Sequence, residues 1–402
     1  MPLGWIDFSK TERSKVLSVL DMLSENATLD ELGIAPIRDG FSNLFFPGTS
    51  TIQTRAKYFF IVPYALKDLE LGPEINPNRA LIALNAKERA CGEQFLLQNA
   101  DEIGVIGKRS LASGRWVKRT PADIYWAGLR RYGIFIGGNL SLGEYLRAMC
   151  AVKGQKDALK KLGNRNDSAE ESERDDDGAG DVRGMHFWRM PLYTPDWFRT
   201  MEMELTPTES SYLKEQILLC CPDSMMAHIL KNNMRQISAL TSFQEIADIL
   251  SLFPPEMQAD YNLALAFSDF IYAVRTVYNI IVSEGENETA NQVLTDLEPA
   301  FPEIAAIDID ALMKRLEIYH NPALRSFLLQ AQDAMLKDDI DSLKKCIKNR
   351  EIFLKGQSRA KTCHPGQFDD TWIGGGELDY RFGNALTILR DIWNGEEVSE
   401  TC

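Results

Sequence analysis

The sequence has few of the cysteines and histidines that form structural zinc sites, and none of them has the usual ligand spacing. Its 402 residues include seven cysteines and four histidines, and no two cysteines stand in a C-x-x-C arrangement. Because structural zinc sites take closely spaced Cys and His pairs, this pattern argues against such a site. We therefore expect no metal and no cofactor. Since the sequence also lacks a signal peptide and a membrane span, we expect reduced thiols in a cytoplasmic protein.

The sequence also lacks the motifs of the common catalytic classes. It contains no G-x-x-x-x-G-K-[ST] phosphate loop, no H-E-x-x-H and no G-x-S-x-G element. The glycine-rich stretch WIGGGELDYRFG (372–383) has no lysine, and no predicted strand precedes it. We interpret it as a turn after which Asp379, Tyr380 and Arg381 anchor the last helix.

Long apolar runs and an excess of positive charge are absent as well. No apolar run reaches the ~20 residues of a membrane span, and the first residues, MPLGWIDFSKTERSK, do not resemble a signal peptide. We expect no membrane contact. The formal net charge of −14 argues against a chain coated in nucleic acid, although it allows one basic face.

Helix-start signals, by contrast, recur along the chain. A Ser or Thr followed three residues later by an acid is typical of a capping box, and five such pairs occur: Ser9 with Glu12, Thr120 with Asp123, Ser141 with Glu144, Thr206 with Glu209, and Ser242 with Glu245. Segments 259–285 and 321–356 are apolar at intervals of three and four residues, as helices require. These patterns predict a mostly α fold, with a multi-helix amino-terminal domain and a carboxyl-terminal helical bundle.

One segment interrupts the helical pattern. Residues 153–184 are dense in Asp, Glu, Ser, Gly and Arg and have almost no large apolar residue after Leu162, so burial cannot offset the entropy lost on ordering them. The sequence thus predicts a helical domain over 1–152, an acidic linker or loop over 153–184, and the bundle over 185–402. Residues 185–198, MHFWRMPLYTPDWF, are rich in aromatics and are expected to dock in an extended form.

The stretch FFPGTSTIQTRAKYFF (45–60) is the first candidate site. Ser50 and Gln53 have capping-box spacing, so the plain interpretation is a helix that starts at Ser50. The alternative is an anion site, in which Thr49 and Ser50 lie at the positive end of that helix and Arg55 reaches back by one turn. The sequence leaves both interpretations open.

The second candidate is a basic stripe, KRSLASGRWVKRTPADIYWAGLRR (108–131), in which the acidic charge of the chain is locally reversed. Trp126 and Arg130 are four residues apart and can stack on one helix face. Cations beside aromatics suit a nucleic-acid backbone and its bases, whereas the alternative is a core face with arginines paired to acids elsewhere. The candidate contacts are Lys108, Arg109, Arg115, Trp116, Lys118, Arg119, Trp126, Arg130 and Arg131.

Four stretches together carry a resemblance to a known family: GWIDFS (4–9), LFFPGTSTIQTRAKYFFIVPYA (44–65), PADIYWAGLRRYGI (121–134) and LDYRF (378–382). The chain resembles one uncharacterised bacterial family, the domain of unknown function numbered six-three-six-one. No enzymatic activity is assigned to that family, so no catalytic residue can be carried over. Its members are often encoded in anti-phage defence neighbourhoods beside helicases and phospholipase-D-like nucleases, which implies a DNA-handling assembly.

Three hypotheses about function follow. The first is a non-enzymatic subunit of a bacterial defence complex, which contacts DNA or RNA backbone through its amino-terminal half and partner proteins, such as a helicase or nuclease, through its carboxyl half. The second is an enzyme, either a metal-dependent nuclease or a nucleotide-processing domain, built from carboxylates scattered in sequence. The third is a scaffold that binds only protein, with the basic stripe on an acidic partner.

Overall fold

A computed structural model describes residues 30–163, 187–191, 193–366 and 372–400, leaving out the side chains of 156–163 and 398–400. Within these ranges the chain forms sixteen α-helices. The β contact among them is an isolated bridge between Phe135 and Trp188, so the described residues contain no sheet. The prediction of a mostly α fold is confirmed.

The helices are numbered in chain order. They are α1 (Ala35–Phe45), α2 (Tyr58–Leu71), α3 (Pro77–Gln98), α4 (Lys108–Ala112), α5 (Pro121–Arg131), α6 (Leu142–Gly163), α7 (Trp197–Thr200), α8 (Pro207–Cys220), α9 (Met225–Lys231), α10 (Pro255–Val282), α11 (Glu288–Leu297), α12 (Phe301–Ile304), α13 (Ile309–Arg315), α14 (Pro322–Leu336), α15 (Ile340–Lys355) and α16 (Phe382–Glu400). Short 3-10 helices occupy Arg235–Ala239, Gln244–Leu252, Glu298–Ala300 and Lys361–Cys363.

The chain divides into two compact units, and each combines amino-terminal with carboxyl-terminal residues. Unit 1 comprises Met1–Phe45 and Leu240–Phe382, and unit 2 comprises Phe46–Ala239 and Gly383–Cys402. The boundary expected at residue 185 falls inside unit 2. Of the expected linker, residues 153–163 form the end of α6 and residues 164–184 lie outside the described residues, so the predicted linker stays a prediction there.

Unit 1 is built around α10, whose inward face is fully buried. Tyr261, Phe267, Ile271, Val274 and Val277 expose 0% of their surface, as the apolar spacing of the sequence predicted. By length and composition α10 could cross a membrane, yet 67% of its most apolar window is buried inside the protein, as in an ordinary core helix.

The apolar segment 321–356 forms two helices, α14 and α15, rather than one. The residue Asp338 has a φ of 53°, which ends the first helix. Asp339 then caps the second by accepting a hydrogen bond from Ser342 N–H at 2.9 Å. Helix α14 packs on α15, and α15 packs on α10, so these three helices form a bundle within unit 1.

The residues after the glycine-rich loop are anchored in unit 1, as the sequence predicted. The Tyr380 hydroxyl donates to the Ala264 carbonyl at 2.6 Å, and Arg381 donates to Asn43 Oδ1 at 3.1 Å and to Asp39 Oδ1 at 3.3 Å. Tyr380 and Arg381 both have positive φ, at 49° and 68°. These bonds therefore hold a backbone conformation that residues other than glycine seldom adopt.

Unit 2 is built around α2, in which every residue from Tyr58 to Leu66 is buried. Helix α2 packs on α3 and α5, and α3 packs on α6. Three of the predicted capping boxes start helices here, and the pairs are Thr120 with Asp123 at α5, Ser141 with Glu144 at α6, and Thr206 with Glu209 at α8. In unit 1, Glu245 accepts hydrogen bonds from Thr241 and lies at the start of a 3-10 helix. The pair Ser9 and Glu12 lies outside the described residues.

Residues 187–191 of the aromatic segment dock on unit 2 in an extended form, as predicted, whereas Trp197 and Phe198 lie in helix α7. Ile136 N–H donates to the Phe187 carbonyl and Arg189 N–H donates to the Ile134 carbonyl, each at 2.8 Å. Phe187 and Trp197 are 6% and 5% exposed. The segment thus adds its rings to the core of the unit.

Two glycines bring the loop before α2 against helix α5. A Cβ on Gly128, inside α5, would lie 2.5 Å from the carbonyl oxygen of Gly48, and a Cβ on Gly48 would lie 2.6 Å from the Tyr132 ring. Gly48 also has a φ of +82°, which favours glycine. The backbones can approach this closely only because both positions lack a side chain.

We expect Gly128→Ala to lower the free energy of unfolding by about 1–3 kcal/mol, because the new methyl group meets backbone that cannot move aside. Gly154→Ala in α6 is the matched control, since a Cβ there meets nothing within 4 Å. That alanine should leave stability unchanged or raise it by up to about 1 kcal/mol. Urea unfolding followed by circular dichroism measures both variants, and equal stabilities would contradict the close approach.

Candidate nucleic-acid interface

The first candidate stretch does not start a helix where the sequence predicted. Helix α2 begins at Tyr58, and the residues before it form turns. Ser50 N–H donates to Gln53 Oε1 at 3.3 Å, which is half of a capping box, but Ser50 Oγ is buried without a hydrogen-bond partner in the described structure. Thr49 is 4% exposed and donates from Oγ1 to the Phe46 carbonyl at 2.6 Å. The predicted helix start at Ser50 is therefore wrong.

Partners distant in sequence explain the later start of α2. The Tyr125 hydroxyl oxygen accepts from the N–H groups of Thr54 at 2.9 Å and Arg55 at 3.1 Å. Asp391 Oδ2 accepts from the Ala56 N–H at 2.7 Å. A helix begun at Ser50 would need these three N–H groups for its own carbonyls, so the tertiary bonds delay it.

Arg55 is enclosed by carboxylates inside unit 2. Its Nε donates to both oxygens of Asp391 at 2.9 and 3.0 Å, and its Nη1 donates to Glu102 Oε1 at 3.3 Å. Its Nη2 lies 3.7 Å from Glu204 Oε1. The side chains of Arg55 and Asp391 are 14% and 6% exposed. A phosphate would meet three carboxylates at this position, so the contacts indicate a role in folding and do not favour an anion site.

Arg55→Ala should lower the free energy of unfolding by about 3 kcal/mol, because it leaves the Asp391 charge buried without its cation. Adding Asp391→Asn should recover part of the loss. Arg325→Ala is the control, since Arg325 and Asp310 pair at 2.6 Å but are 46% and 62% exposed, and the loss there should not exceed about 1 kcal/mol. Urea unfolding gives all three values. A loss at Arg55 no larger than the loss at Arg325 would mean that the buried pair does not stabilise the fold.

The basic stripe is split between the two ends of α5. Residues Lys108 to Arg119 precede its capping residue Thr120, and Arg130 and Arg131 lie in its last turn. Ten residues of helix span about 15 Å, so the two groups of cations are separate. Lys108 donates to the Glu102 carbonyl at 3.0 Å.

Trp126 belongs to an aromatic cluster in unit 2 and is 7% exposed. Its Nε1–H donates to the Leu140 carbonyl at 2.9 Å, and its ring packs on Phe135, Tyr145 and Trp188 with centroids 4.6 to 6.1 Å apart. The prediction that Trp126 offers a stacking surface beside Arg130 is therefore wrong, because its ring already packs against other rings in the core.

Exposed cations occur within the short folded segment before α5. Arg109, Arg115 and Lys118 are exposed, and Arg115 N–H donates to the Ser110 carbonyl at 2.9 Å, which folds the segment back on itself. Arg89 on α3 approaches the carbonyl of Gly114 at 3.5 Å and so joins them. We call Arg89, Arg109, Arg115 and Lys118 the basic face.

An aromatic ring and a further cation accompany the basic face. Trp116 is half-buried, and its ring lies 3.2 Å from the position that a Cβ on Gly107 would occupy. Arg119 is half-buried as well. The predicted residues therefore divide into an exposed group at the start of α5, a core residue, and a second pair of arginines at the end of α5.

The sequence motifs do not reveal Glu88, a buried acid that contacts the first turn of α5. Glu88 on α3 is 1% exposed, and its Oε1 accepts from the Ala122 N–H at 2.6 Å, in the first turn of α5. Burial raises the pKa of Glu88 from 4.5 to about 8, although the Ala122 N–H acts in the opposite direction. A signal was available, because Glu88 falls on the same helical stripe as Leu84 and Cys91, which are both buried.

The amino end of α5 is thus already supplied with carboxyl groups. Asp123 accepts from the Thr120 N–H at 3.1 Å, and Glu88 accepts from Ala122. These bonds satisfy N–H groups that could otherwise bind an anion at a helix start. Phosphate contacts at this end of α5 would therefore come from the side chains of the basic face.

Stability should depend on pH through Glu88. Because the pKa of Glu88 in the folded state lies above its unfolded value, folding favours the protonated carboxyl group. The contribution of Glu88 to the free energy of unfolding is therefore full below pH 4.5 and is lost as pH rises to about 8. Relative to the wild type, Glu88→Gln should therefore gain stability between pH 5 and pH 8, by at most about 4 kcal/mol. Urea unfolding at the two pH values measures this gain.

Glu93→Gln is the control for the same experiment. Glu93 pairs with Arg89 at 2.8 Å and is 48% exposed, so its effect should be nearly equal at both pH values. If Glu88→Gln shows no more pH dependence than Glu93→Gln, Glu88 titrates normally and the argument from burial is wrong.

A metal-dependent enzyme would need several ligands in one place. In the part of the chain that the structure covers, no three His, Cys, Asp or Glu residues come together in a way that could hold an ion. The carboxylates around Arg55 are instead occupied by a guanidinium. The described residues therefore add no positive support for a metal-dependent nuclease.

Comparison with known proteins places the basic face in a family segment. Residues 1–147 match a family described as "Family of unknown function (DUF6361)", which confirms the resemblance over that part of the chain. No curated protein and no solved structure matches the chain. The matched segment includes Arg55, Glu88 and the whole basic face.

Proposed function

We propose that this chain, whose residues 1–147 match that family of unknown function, is a non-enzymatic subunit that binds nucleic-acid phosphates through its basic face. One observation supports the proposal above the others. Arg109, Arg115 and Lys118 are exposed within one short folded segment of a protein with a net charge of −14. Such a local reversal of charge is the electrostatic footprint of phosphate binding.

The proposed setting is a cytoplasmic bacterial anti-phage defence assembly, with a helicase or nuclease as partner. Its support is the family resemblance, which implies a DNA-handling neighbourhood. DNA and RNA backbones would both satisfy cations of this kind, because phosphate contacts carry no sequence information. The chain would then act as an adaptor, holding a strand while partner proteins perform the chemistry.

The scaffold hypothesis uses the same cations differently. Exposed arginines and lysines can dock on an acidic protein as well as on phosphate. Half-buried Trp116, next to Arg115, favours nucleic acid, since bases stack on indole rings beside cations. The two hypotheses differ in whether the protein alone binds a polyanionic strand.

The proposed contacts predict binding to short DNA and RNA that weakens steeply with salt. Replacing Arg109, Arg115 and Lys118 by Ala should weaken this binding and reduce the slope of log affinity against log salt by about 2 to 3, since each phosphate contact releases about 0.9 of a counterion on duplex DNA. Fluorescence anisotropy at several salt concentrations measures both quantities.

The control removes the same charge elsewhere on unit 2. Arg147, Arg199 and Lys231 are also exposed, and replacing them by Ala gives the same net charge, since −14 less 3 is −17. This variant should bind like the wild type. If both variants weaken binding equally, binding depends on overall charge and the basic face is not the binding site. If the wild type binds no nucleic acid at low salt, the scaffold hypothesis is supported instead.

A further inference from the structure

Unit 1 contains a groove with an aliphatic floor and a cationic side. Its volume is about 430 Å³, and the residues around it include Ile280, Ile281 and Glu284 at the end of α10, and Lys344, Lys345 and Lys348 on α15. Ile280 is 8% exposed and Ile281 is half-buried. Because α10 and α15 pack on each other, the floor and the cations are held together by the core.

The three lysines line the groove together with one acid, Glu284, which does not pair with them in the part of the chain that the structure describes. Arg315 in the same unit pairs with Asp260, and Lys337 pairs with Asp333, but the groove lysines form no ion pair in the ranges that the structure describes. Lys344 and Lys348 are four residues apart on one helix, where like charges repel. An unpaired cluster in a chain of net charge −14 favours an anion supplied from outside.

Capping of α10 does not explain the lysines. The last carbonyls of a helix often need donors, but those of α10 already accept main-chain N–H groups at 2.9 to 3.3 Å. The acceptor and donor pairs are Asn279 with Ser283, Ile280 with Gly285, Ile281 with Glu284, and Val282 with Gly366. The lysine ammonium groups are therefore not needed as hydrogen-bond donors to the carbonyls at this helix end.

We propose that the groove binds an acidic segment of a partner protein, with an aliphatic side chain over Ile280 and Ile281 and carboxylates beside the three lysines. The described lining holds no aromatic ring, so it lacks the stacking surface that a nucleic-acid base would use. Opposite charge around an aliphatic contact gives such a segment both attraction and orientation. The proposal rests on the adaptor part of the proposed function, because the ligand is a protein.

A random peptide library displayed on phage tests the groove without a known partner. Selection uses the wild-type protein, after depletion on the variant Lys344→Gln, Lys345→Gln and Lys348→Gln. The enriched peptides should carry Asp or Glu on both sides of Leu, Ile, Val or Met. Their synthetic forms should bind the triple variant at least about tenfold more weakly than the wild type, and Ile281→Ser should also weaken them.

The matched control variant is Lys314→Gln, Lys337→Gln and Arg359→Gln, which removes the same charge at other exposed positions of unit 1. It should bind the peptides like the wild type. Enrichment that does not depend on the groove lysines, or enriched peptides without acids, would overturn the proposal.

Nucleic-acid affinity of the groove variant separates this inference from the proposed function. An unchanged affinity is expected, and a fall would assign the lysines to nucleic acid and overturn the protein-segment proposal. If the wild type binds no nucleic acid but selects acidic peptides through these lysines, the proposal for the basic face is wrong and the proposal for the groove is supported.

Discussion

The architecture of unit 2 depends on the hydrogen bonds and the ion pair of the Asp391 carboxylate. This carboxylate lies on α16, and it accepts from the guanidinium of Arg55 and from the Ala56 N–H in the loop before α2. Burying a carboxylate is costly unless its oxygens are paired, so α16 and this loop stabilise each other. The same loop then meets Tyr125 and Gly128 of α5, which connects the Asp391 contact to the helix that follows the segment of the basic face.

The family segment makes buried contacts with residues that lie outside it. Residues 1–147 match the family, but their part of unit 2 is completed by α16. In unit 1, the Leu32 carbonyl accepts from Arg350 at 2.8 Å, and Glu31 pairs with Lys361 at 2.7 Å. The described part of the matched segment therefore uses partners from the carboxyl-terminal part of the chain in both units.

Charge in this acidic protein is distributed according to burial. The enclosed cations Arg55 and Lys57 have carboxylate partners, and Lys57 meets Glu209 at 2.8 Å. The buried guanidinium of Arg350 instead donates to the Leu32 carbonyl. A buried acid with no cation, such as Glu88, instead retains its proton up to a pKa of about 8. The cations of the basic face and of the groove are exposed or half-buried, where a charge stays hydrated and remains able to attract a ligand. Function is accordingly proposed where positive charge reaches the surface.

The sequence by itself determined the features that rest on short spacing. Contacts between residues three or four apart can be recognised in a sequence. They account for the mostly α fold, for helix α10 and for the capping boxes at Thr120, Ser141 and Thr206. The anchoring by Tyr380 was predicted from its position after a glycine-rich turn. Three features were decided by tertiary structure alone. Arg55 is paired because Asp391, 336 residues away, is folded against it, Trp126 is buried because Trp188 packs on it, and α2 starts late because Tyr125 takes the N–H groups of the loop. Since no local spacing encodes contacts of this range, the exposed or buried state of a candidate side chain, and with it the choice between a binding and a structural role, had to come from the fold.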